Sequence, residues 1–494
     1  MSTDHTPVRR SYGNWILQRS PGIPGFGLLG SVLLFAAVIC ALFALMLAGP
    51  TPAVVILGIF AILIGFTTPL GKALTHQIRF SLHTVENEHH FRSGVFSKNK
   101  NPELRLPGAI GKMRLHDRID PMGNRFAVLE NPHNGGYFTV VARCVSDGPA
   151  LQPQDRLDHW VGQYGFMLSS MGAEPALVCG KAIIDTAPDH GGRLKTHVRS
   201  SRAAGAPALA TAVMEECLAT YPATDSENVT YIELTFKGRL LSRRNKFEDI
   251  MSELSRKVPT IIGQAQAAGG GSVEMLTASQ LPQIVRAAYD PDAQRYLEEA
   301  EMKGIDNPVD WHDAGPVASH DLWASFRHDS GLSVTYEMVS PPRSAIRELA
   351  LAGVSRPHND FVRKRVALIY RPHSPDESAS VAERDAQTAT FLASGTKKKV
   401  SAANQRIMRA TEQTRQEVAA GSALVRFSVL ITATVANEED LPQAEATILT
   451  QSGSIPFRIR KSFGSQAAAF ATTLPVGFVP WEHSLIPSKI REMI

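Results

Sequence analysis

The sequence predicts an α+β protein: a two-helix transmembrane hairpin at the N-terminus, followed by cytoplasmic α+β units. Three observations lead there. Two apolar runs, Phe26–Leu47 and Ala53–Leu70, contain no charged residue. Basic residues flank the outer ends of that pair, and its inner linker carries no charge. Beyond residue 105, short β-branched runs alternate with stretches of helical periodicity.

The first run has 22 residues, which as a helix spans ~33 Å, close to the thickness of a bilayer's hydrocarbon core. The second has 18 and stands at the short end of the spanning range. Between them, Ala48–Pro52 holds Gly49, Pro50 and Pro52, which break helices. Arg9, Arg10 and Arg19 precede the pair, against Asp4 alone; Lys72, Arg79, Arg92, Lys98 and Lys100 follow it. Lys/Arg bias of this kind places both termini and the soluble mass in the cytoplasm, with the plasma membrane crossed twice. A cleaved signal peptide would carry a shorter apolar core and no immediate second run. A hairpin buried in a soluble domain would keep a polar stripe, whereas these runs are apolar all round.

The expected organisation is a cytoplasmic tail over 1–25, the membrane hairpin over 26–74, a juxtamembrane connector over 75–105, one α+β domain over 106–309 and a second over 310–494. In the first domain, Arg125–Glu130 and Tyr137–Cys144 read as strands around the turn-forming Asn131–Gly136. Asp155–Met171 reads as a helix from the spacing of Leu157, Trp160, Val161, Tyr164, Met167 and Leu168. Leu177–Thr186 is a strand, Pro207–Tyr221 a helix, and Asn228–Phe236 an alternating strand with Val229, Tyr231 and Glu233 on one face. Lys246–Ala268 and Ala278–Tyr289 are helices. In the second domain, Leu332–Val339 is a strand, Arg343–Ala352 a short helix and Phe361–Tyr370 a strand. Ser380–Ala420 is a long helical stretch broken near Gly395, and Ser422–Val435 is a strand. Leu441–Gln451 is a helix and Ile455–Lys461 a strand. This order suggests layered units of the ferredoxin-like sandwich type.

A net charge of +4 on 494 residues does not call for a nucleic-acid partner. The short basic clusters, Arg243/Arg244/Lys246 and Lys397–Lys399, read as solvated turns, so no direct nucleic-acid binding is expected. Of the four cysteines, Cys40 lies in the first apolar run; Cys144, Cys179 and Cys217 have no CxxC spacing and read as buried reduced thiols.

Motifs for chemistry are missing or out of context. Gly25-Phe-Gly-Leu-Leu-Gly30 fits GxGxxG but enters a membrane run with no strand before it. There is no GxxxxGK[ST], HExxH or GxSxG. His89-His90 reads as solvated connector, Asp189-His190-Gly191-Gly192-Arg193 as a turn, and Asp310-Trp-His-Asp313 as packing. No catalytic, cofactor-binding or metal residue is therefore assigned, no cofactor is expected, and the chain is read as non-enzymatic. The alternative is a membrane-anchored enzyme with a site dispersed over Asp189, His190, Arg193 and His312.

Several stretches resemble known families. Ile184-Asp-Thr-Ala-Pro-Asp189, Arg193-Leu, Ala206-Pro-Ala-Leu-Ala210 and Tyr221-Pro222 are similar to the EccE-type domain of actinobacterial type VII secretion proteins. Ser11-Tyr-Gly-Asn-Trp15 and the turn at Gly135-Gly-Tyr137 resemble integral membrane proteins of type IV-like conjugative transfer loci. Gly464-Ser-Gln-Ala-Ala-Ala-Phe470 and Leu474-Pro-Val-Gly477 resemble the non-ATPase N-terminal half of VirB4-like transfer ATPases. The resemblance implies a structural subunit of a secretion or conjugative transfer complex. Its partners would be the lipid bilayer, other membrane subunits, and a separately encoded VirB4-like or type VII ATPase. It implies no catalytic residue. Small residues suited to close helix packing, Gly27, Gly30, Ser31, Ala37 and Ala41 on the first run and Gly58, Ala61 and Gly65 on the second, are expected to line contact surfaces.

Overall fold

The computed structural model describes residues 27–83, 88–90, 106–146, 152–188, 205–220, 226–305, 308–342, 349–394, 402–453 and 455–483, with single positions at 148, 198, 201, 203 and 346. The N-terminal tail with Ser11–Trp15, Arg92, Lys98, Lys100, the stretch Asp189–Arg193 and the Lys397–Lys399 run lie outside the described residues.

Three helices occupy the compact unit Leu17–Glu88: α1 (Gly27–Ala48), α2 (Pro50–Thr67) and α3 (Pro69–His83). The break between α1 and α2 is Gly49 alone, at φ +89°, a conformation that favours glycine. α1 is long and apolar enough to cross a bilayer by itself. α2 reaches that measure only together with part of α3, across a bend of 74°. The structure thus departs from the expected pair of independent spans. Thr68 caps the end of α2, donating from Oγ1 to the Gly65 carbonyl at 2.6 Å, and Pro69 restarts the chain in a new direction. Polar residues then alternate with apolar ones through α3, so helix fills the first third of the stretch expected to be a connector. Gly30, Ser31, Ala37 and Ala41 of α1 are buried, as are Ala53 and Ile64 of α2. Gly58 and Ala61, expected at a contact, are exposed, and a Cβ at Gly58 or Gly65 would meet no atom within 4 Å.

The second compact unit runs from His89 to Val479 and is mixed α/β around one large antiparallel sheet. Its strands are β1 (Glu88–His90), β2 (Arg114–Ile119), β3 (Arg125–Asn131), β4 (Tyr137–Val145), β5 (Leu177–Pro188), β6 (Ser226–Lys237), β7 (Ser272–Met275), β8 (Ala318–Asp321), β9 (Phe326–His328), β10 (Gly331–Ser340), β11 (Arg363–Pro372), β12 (Val425–Val435) and β13 (Arg458–Lys461). The order is β1-β8-β9-β10-β12-β11-β5-β6-β4-β3-β2, with β13 beside β10 and β7 beside β4. The halves on either side of the division expected near Asp310 share one compact unit and one sheet. β5 and β11, one from each expected domain, pair directly from Lys364–Thr186 to Tyr370–Gly180.

The registers reveal an internal repeat about that seam. β4, β5, β6 and β7 form a β-α-β-β-α-β unit, with β6 between β5 and β4 and with β7 on β4's far side. β10, β11, β12 and β13 do the same. A pseudo-twofold through the Ile183–Ala367 pair carries one unit onto the other. It brings the β3–β4 pair Asn131–Tyr137 onto His328–Gly331 and the β4–β7 pair Ala142–Met275 onto Tyr336–Lys461. We call the halves the first and second modules.

Each sheet face has its own cover. In the first module α4 (Gln154–Ala173) and α6 (Phe247–Ala265) cover one face. The intervening α5 (Ala208–Thr220) lies between β5 and β6 in the chain. α6 buries Ile250, Met251, Leu254, Val258, Ile261 and Ala265, a stripe at helical spacing, onto Phe138, Val140, Ile232 and Leu234. α7 (Gln280–Tyr289) and α8 (Ala293–Met302), the latter not anticipated from sequence, help cover the opposite face. In the second module α9 (Pro375–Ser394) and α10 (Ala402–Ala419) lie along the expected helical stretch, and the break expected near Gly395 lies outside the described residues. α11 (Leu441–Ser452) packs Ala444 and Ile448 on Val334, Ile431 and Ala433. Most of the first half of the helix expected over Arg343–Ala352 lies outside the described residues; the described part is a turn leading into the short helix Ala352–Ser355. Finally α12 (Gln466–Thr472) and the chain to Val479 form a C-terminal strap. Its Phe470, Leu474, Val476 and Phe478 are buried with Ile183, Tyr231, Ala367 and Tyr289.

Candidate functional site

The sheet face under α7, α8 and the strap is polar, although it is buried. It carries Thr139 on β4, Lys181 and Asp185 on β5, Glu233 and Thr235 on β6, Ser333 and Thr335 on β10, Arg363 and Arg365 on β11, and Thr432 and Thr434 on β12. Alternation explains the placement: these residues lie at two-residue steps on one side of their strands, interspersed there with the apolar Val141, Ile183, Tyr231 and Ala367.

Hydroxyl pairs repeat across the seam. Thr139 and Thr235 Oγ1 atoms lie 2.9 Å apart, and the equivalent Ser333 Oγ and Thr434 Oγ1 lie 2.8 Å apart. Lys181 Nζ stands 2.8 Å from Glu233 Oε1, both side chains fully buried. The other Glu233 oxygen accepts the Gly477 N–H at 2.9 Å, so the strap closes over this ion pair. Gly477 is at φ +72°, and a Cβ there would lie 2.2 Å from Thr139 Oγ1, so only glycine fits.

At the seam Arg363 forks onto Asp185, Nε to Oδ1 at 2.9 Å and Nη2 to Oδ2 at 2.8 Å. Its Nη1 donates to the Ala287 carbonyl and to Gln294 Oε1. Gln294 Nε2 in turn donates to Glu298 Oε1 at 3.1 Å. These groups form one wall of a cleft of about 280 Å³ that Arg143, Gln280 and Gln283 also line. The cleft offers amides, the carboxylates of Asp185 and Glu298, and guanidinium groups. It can hold a polar group by hydrogen bonds, and among the described residues that line it no nucleophile is paired with a base.

One pair does have nucleophile-and-base geometry. His328 Nε2 lies 2.7 Å from Ser333 Oγ, and His328 Nδ1 lies 2.6 Å from the Tyr289 carbonyl, which can only accept. The ring is thus neutral with its proton on Nδ1, and burial drives its pKa down to about 3. Both side chains are fully buried, among Tyr289, Phe326 and Phe470, so no substrate reaches them. This is a structural relay.

The residues weighed from sequence are not brought together. Asp189, His190 and Arg193 lie outside the described residues, as do the side chains of His89 and His90. Trp311 is buried and donates from Nε1 to the Met113 carbonyl at 2.9 Å, while His312 beside it is exposed. Arg243, Arg244 and Lys246 are exposed on a turn around Asn245, at φ 50°. Cys144 and Cys179 are buried, and burial pushes both thiols up to about 12; Cys40 and Cys217 are exposed. Among the described residues no group of His, Cys, Asp or Glu is placed to hold a metal ion.

The buried charges on β5, β6 and β11 went unrecognised from sequence. The signal was an ionisable residue inside a β-branched run: Lys181 before Ala-Ile-Ile, Glu233 within Val-Thr-Tyr-Ile-Glu-Leu, and Arg363-Lys-Arg before Val-Ala-Leu-Ile-Tyr. No protein-family model matches the chain, and no curated protein matches it.

Proposed function

We propose that the chain is a non-enzymatic, membrane-anchored structural subunit of a bacterial secretion or conjugative transfer complex. In this reading α1 and the α2–α3 pair cross the membrane as a hairpin, and the sheet unit is cytoplasmic and docks a separately encoded ATPase. The observation that carries it is the combination of an uncharged, apolar α1 with a body whose Lys181–Glu233 and Arg363–Asp185 charges are spent on one another and on the strap. The β-α-β-β-α-β strand order of each module is that of a ferredoxin-like sandwich. The segment resembling the non-ATPase half of transfer ATPases, Gly464–Gly477, coincides with the strap that joins the two modules.

Two further features support an assembly role. Gly58 and Ala61 leave a small-residue face of α2 uncovered, which suits close approach by another membrane helix. On α5, Leu209 is 77% exposed and Val213 and Met214 about half exposed, an apolar patch of the sort found at protein contacts.

Docking a cytoplasmic ATPase requires the sheet unit on the cytoplasmic side. Single cysteines at position 50 and near the C-terminus, in a chain with Cys40 and Cys217 replaced, test this in intact cells. A membrane-impermeant maleimide is expected to label position 50 from outside and to leave the C-terminal site unlabelled. Labelling of the C-terminal site from outside overturns the reading.

A further inference from the structure

The two modules differ at a position where their equivalence calls for a match. Lys181 on β5 and Arg365 on β11 are carried onto each other by the pseudo-twofold. Each stands directly opposite a residue of its module's third strand. Lys181 faces Glu233, whereas Arg365 faces Thr432. The first cation therefore has a carboxylate across the sheet, and the second has a hydroxyl.

Arg365 finds no substitute. Its Nη1 and Nη2 atoms are buried and make no hydrogen bond. Its Nε lies 3.4 Å from Thr473 Oγ1, and its guanidinium carbon lies 4.6 Å from the centre of the Phe470 ring. Asp185 is its cross-strand neighbour on β5, but both oxygens of that carboxylate are taken by Arg363. Among the described residues, the charged side chains buried on this face are Lys181, Arg363 and Arg365 against Asp185 and Glu233. One positive charge is left over. A guanidinium keeps its proton: even with burial pulling it down, its pKa stays at about 10. The ring face of Phe470 offsets part of the charge and supplies no acceptor in the plane of the guanidinium. A buried charge without a counter-charge is among the costliest arrangements in a protein interior.

We propose that a single small monovalent anion of the halide class lies against Nη1 and Nη2 of Arg365, beneath the strap and near the hydroxyls of Thr432 and Thr473. It does for the second module what the Glu233 carboxylate does for the first. Thr473 Oγ1 is 3.2 Å from Thr432 Oγ1, so strap and sheet meet at this point and both would be held by the ion.

The test uses the full-length protein in detergent, melted in sodium chloride and in sodium gluconate at equal ionic strength. The wild type is expected to melt several degrees higher in chloride, with a response that saturates. Thr432→Glu places a carboxylate where the first module has one. That variant is expected to melt in gluconate as the wild type does in chloride, and to lose its chloride dependence. Coincident wild-type curves in the two salts, a response that climbs without saturating, or an undiminished chloride response in a folded Thr432→Glu protein each overturn the proposal. Should Thr432→Glu fail to fold, wild-type crystals soaked in bromide decide. An anomalous peak within about 3.5 Å of Nη1 or Nη2 supports the site, and peaks confined to the surface overturn it.

Discussion

The first and second modules share strand order, register and a pair of hydroxyls, yet they handle a buried cation differently. In the first, Lys181 and Glu233 are paired and the strap amide of Gly477 completes the carboxylate. In the second, Arg365 sits among Thr432, Thr473 and the Phe470 ring with two nitrogens unbonded. The helices differ too. α4 connects the first two strands of the first module, where the second has only the short Ala352–Ser355 turn of helix among its described residues. The backbone frame is thus set by antiparallel pairing and tolerates exchange of what lies on it. The charges on the frame belong to each half separately and are closed by one shared strap.

The largest effect is expected where compensation is complete. Glu233→Gln strands Lys181 in the interior and leaves the Gly477 amide a weaker acceptor. It should cost about 3–5 kcal/mol in chemical denaturation. At the equivalent position Thr432→Val removes one hydroxyl and should cost about 1 kcal/mol. Equal losses at the two positions would erase the distinction between the modules.

Next comes the strap. Gly477→Ala forces a side chain into a left-handed conformation and into Thr139, for a combined loss of about 2–4 kcal/mol. Exchange of the Glu233-side amides, followed by hydrogen–deuterium exchange, should rise in that variant before exchange in α11 does.

Acid separates the modules in a third way. His328 of the second module has Asn131 as its equivalent in the first. With its folded pKa near 3 and an unfolded value near 6.5, His328 contributes its full stability above pH 6.5. That contribution falls by about 1.4 kcal/mol per pH unit as the pH drops from 6.5 toward 3. His328→Asn should flatten the slope of stability against pH in this range. A slope unchanged by the substitution would show that the ring is not held neutral.

The smallest expected difference lies in the hydroxyl pairs. Thr139→Val removes one partner of Thr235 and should cost about 1 kcal/mol, and Ser333→Ala about 2 kcal/mol because His328 Nε2 also loses its donor.

Much of the fold was legible in the sequence. Long strands such as Tyr137–Val145, Ser226–Lys237 and Val425–Val435 announce themselves by β-branched content and alternation, and α4 and α6 by their apolar stripes. Shorter strands, Ser272–Met275, Ala318–Asp321 and Phe326–His328, have too few residues to show a period; register with a neighbour makes them strands. The repeat was hidden for the same reason: equivalence lives in pairing, while the residues at equivalent places, Lys181 and Arg365 or Asn131 and His328, have diverged. The division near Asp310 falls between the two modules in the chain, but local pattern says nothing about their edge strands β5 and β11 meeting in one sheet. Within the N-terminal helical unit, small residues marked both helices, but Gly30, Ser31, Ala37 and Ala41 of α1 are buried while Gly58 and Ala61 of α2 are exposed. Composition cannot tell which face of a helix its neighbour takes. Of the polar site, only the side of the strand on which Glu233 lies was readable, since a partner such as Gly477, distant in sequence, leaves no local trace.

The most direct measurement is made on the native membrane. Full-length protein, extracted in mild detergent with its neighbouring genes expressed, is run on a native gel and its partners are identified by mass spectrometry. It should migrate in a large assembly with other membrane subunits and an ATPase. Gly58→Leu, by pushing apart helices that meet on the open face of α2, should weaken that assembly and leave the melting of the sheet unit unchanged. A chain that migrates as a lone monomer under those conditions, with and without the substitution, would contradict a role as a structural subunit.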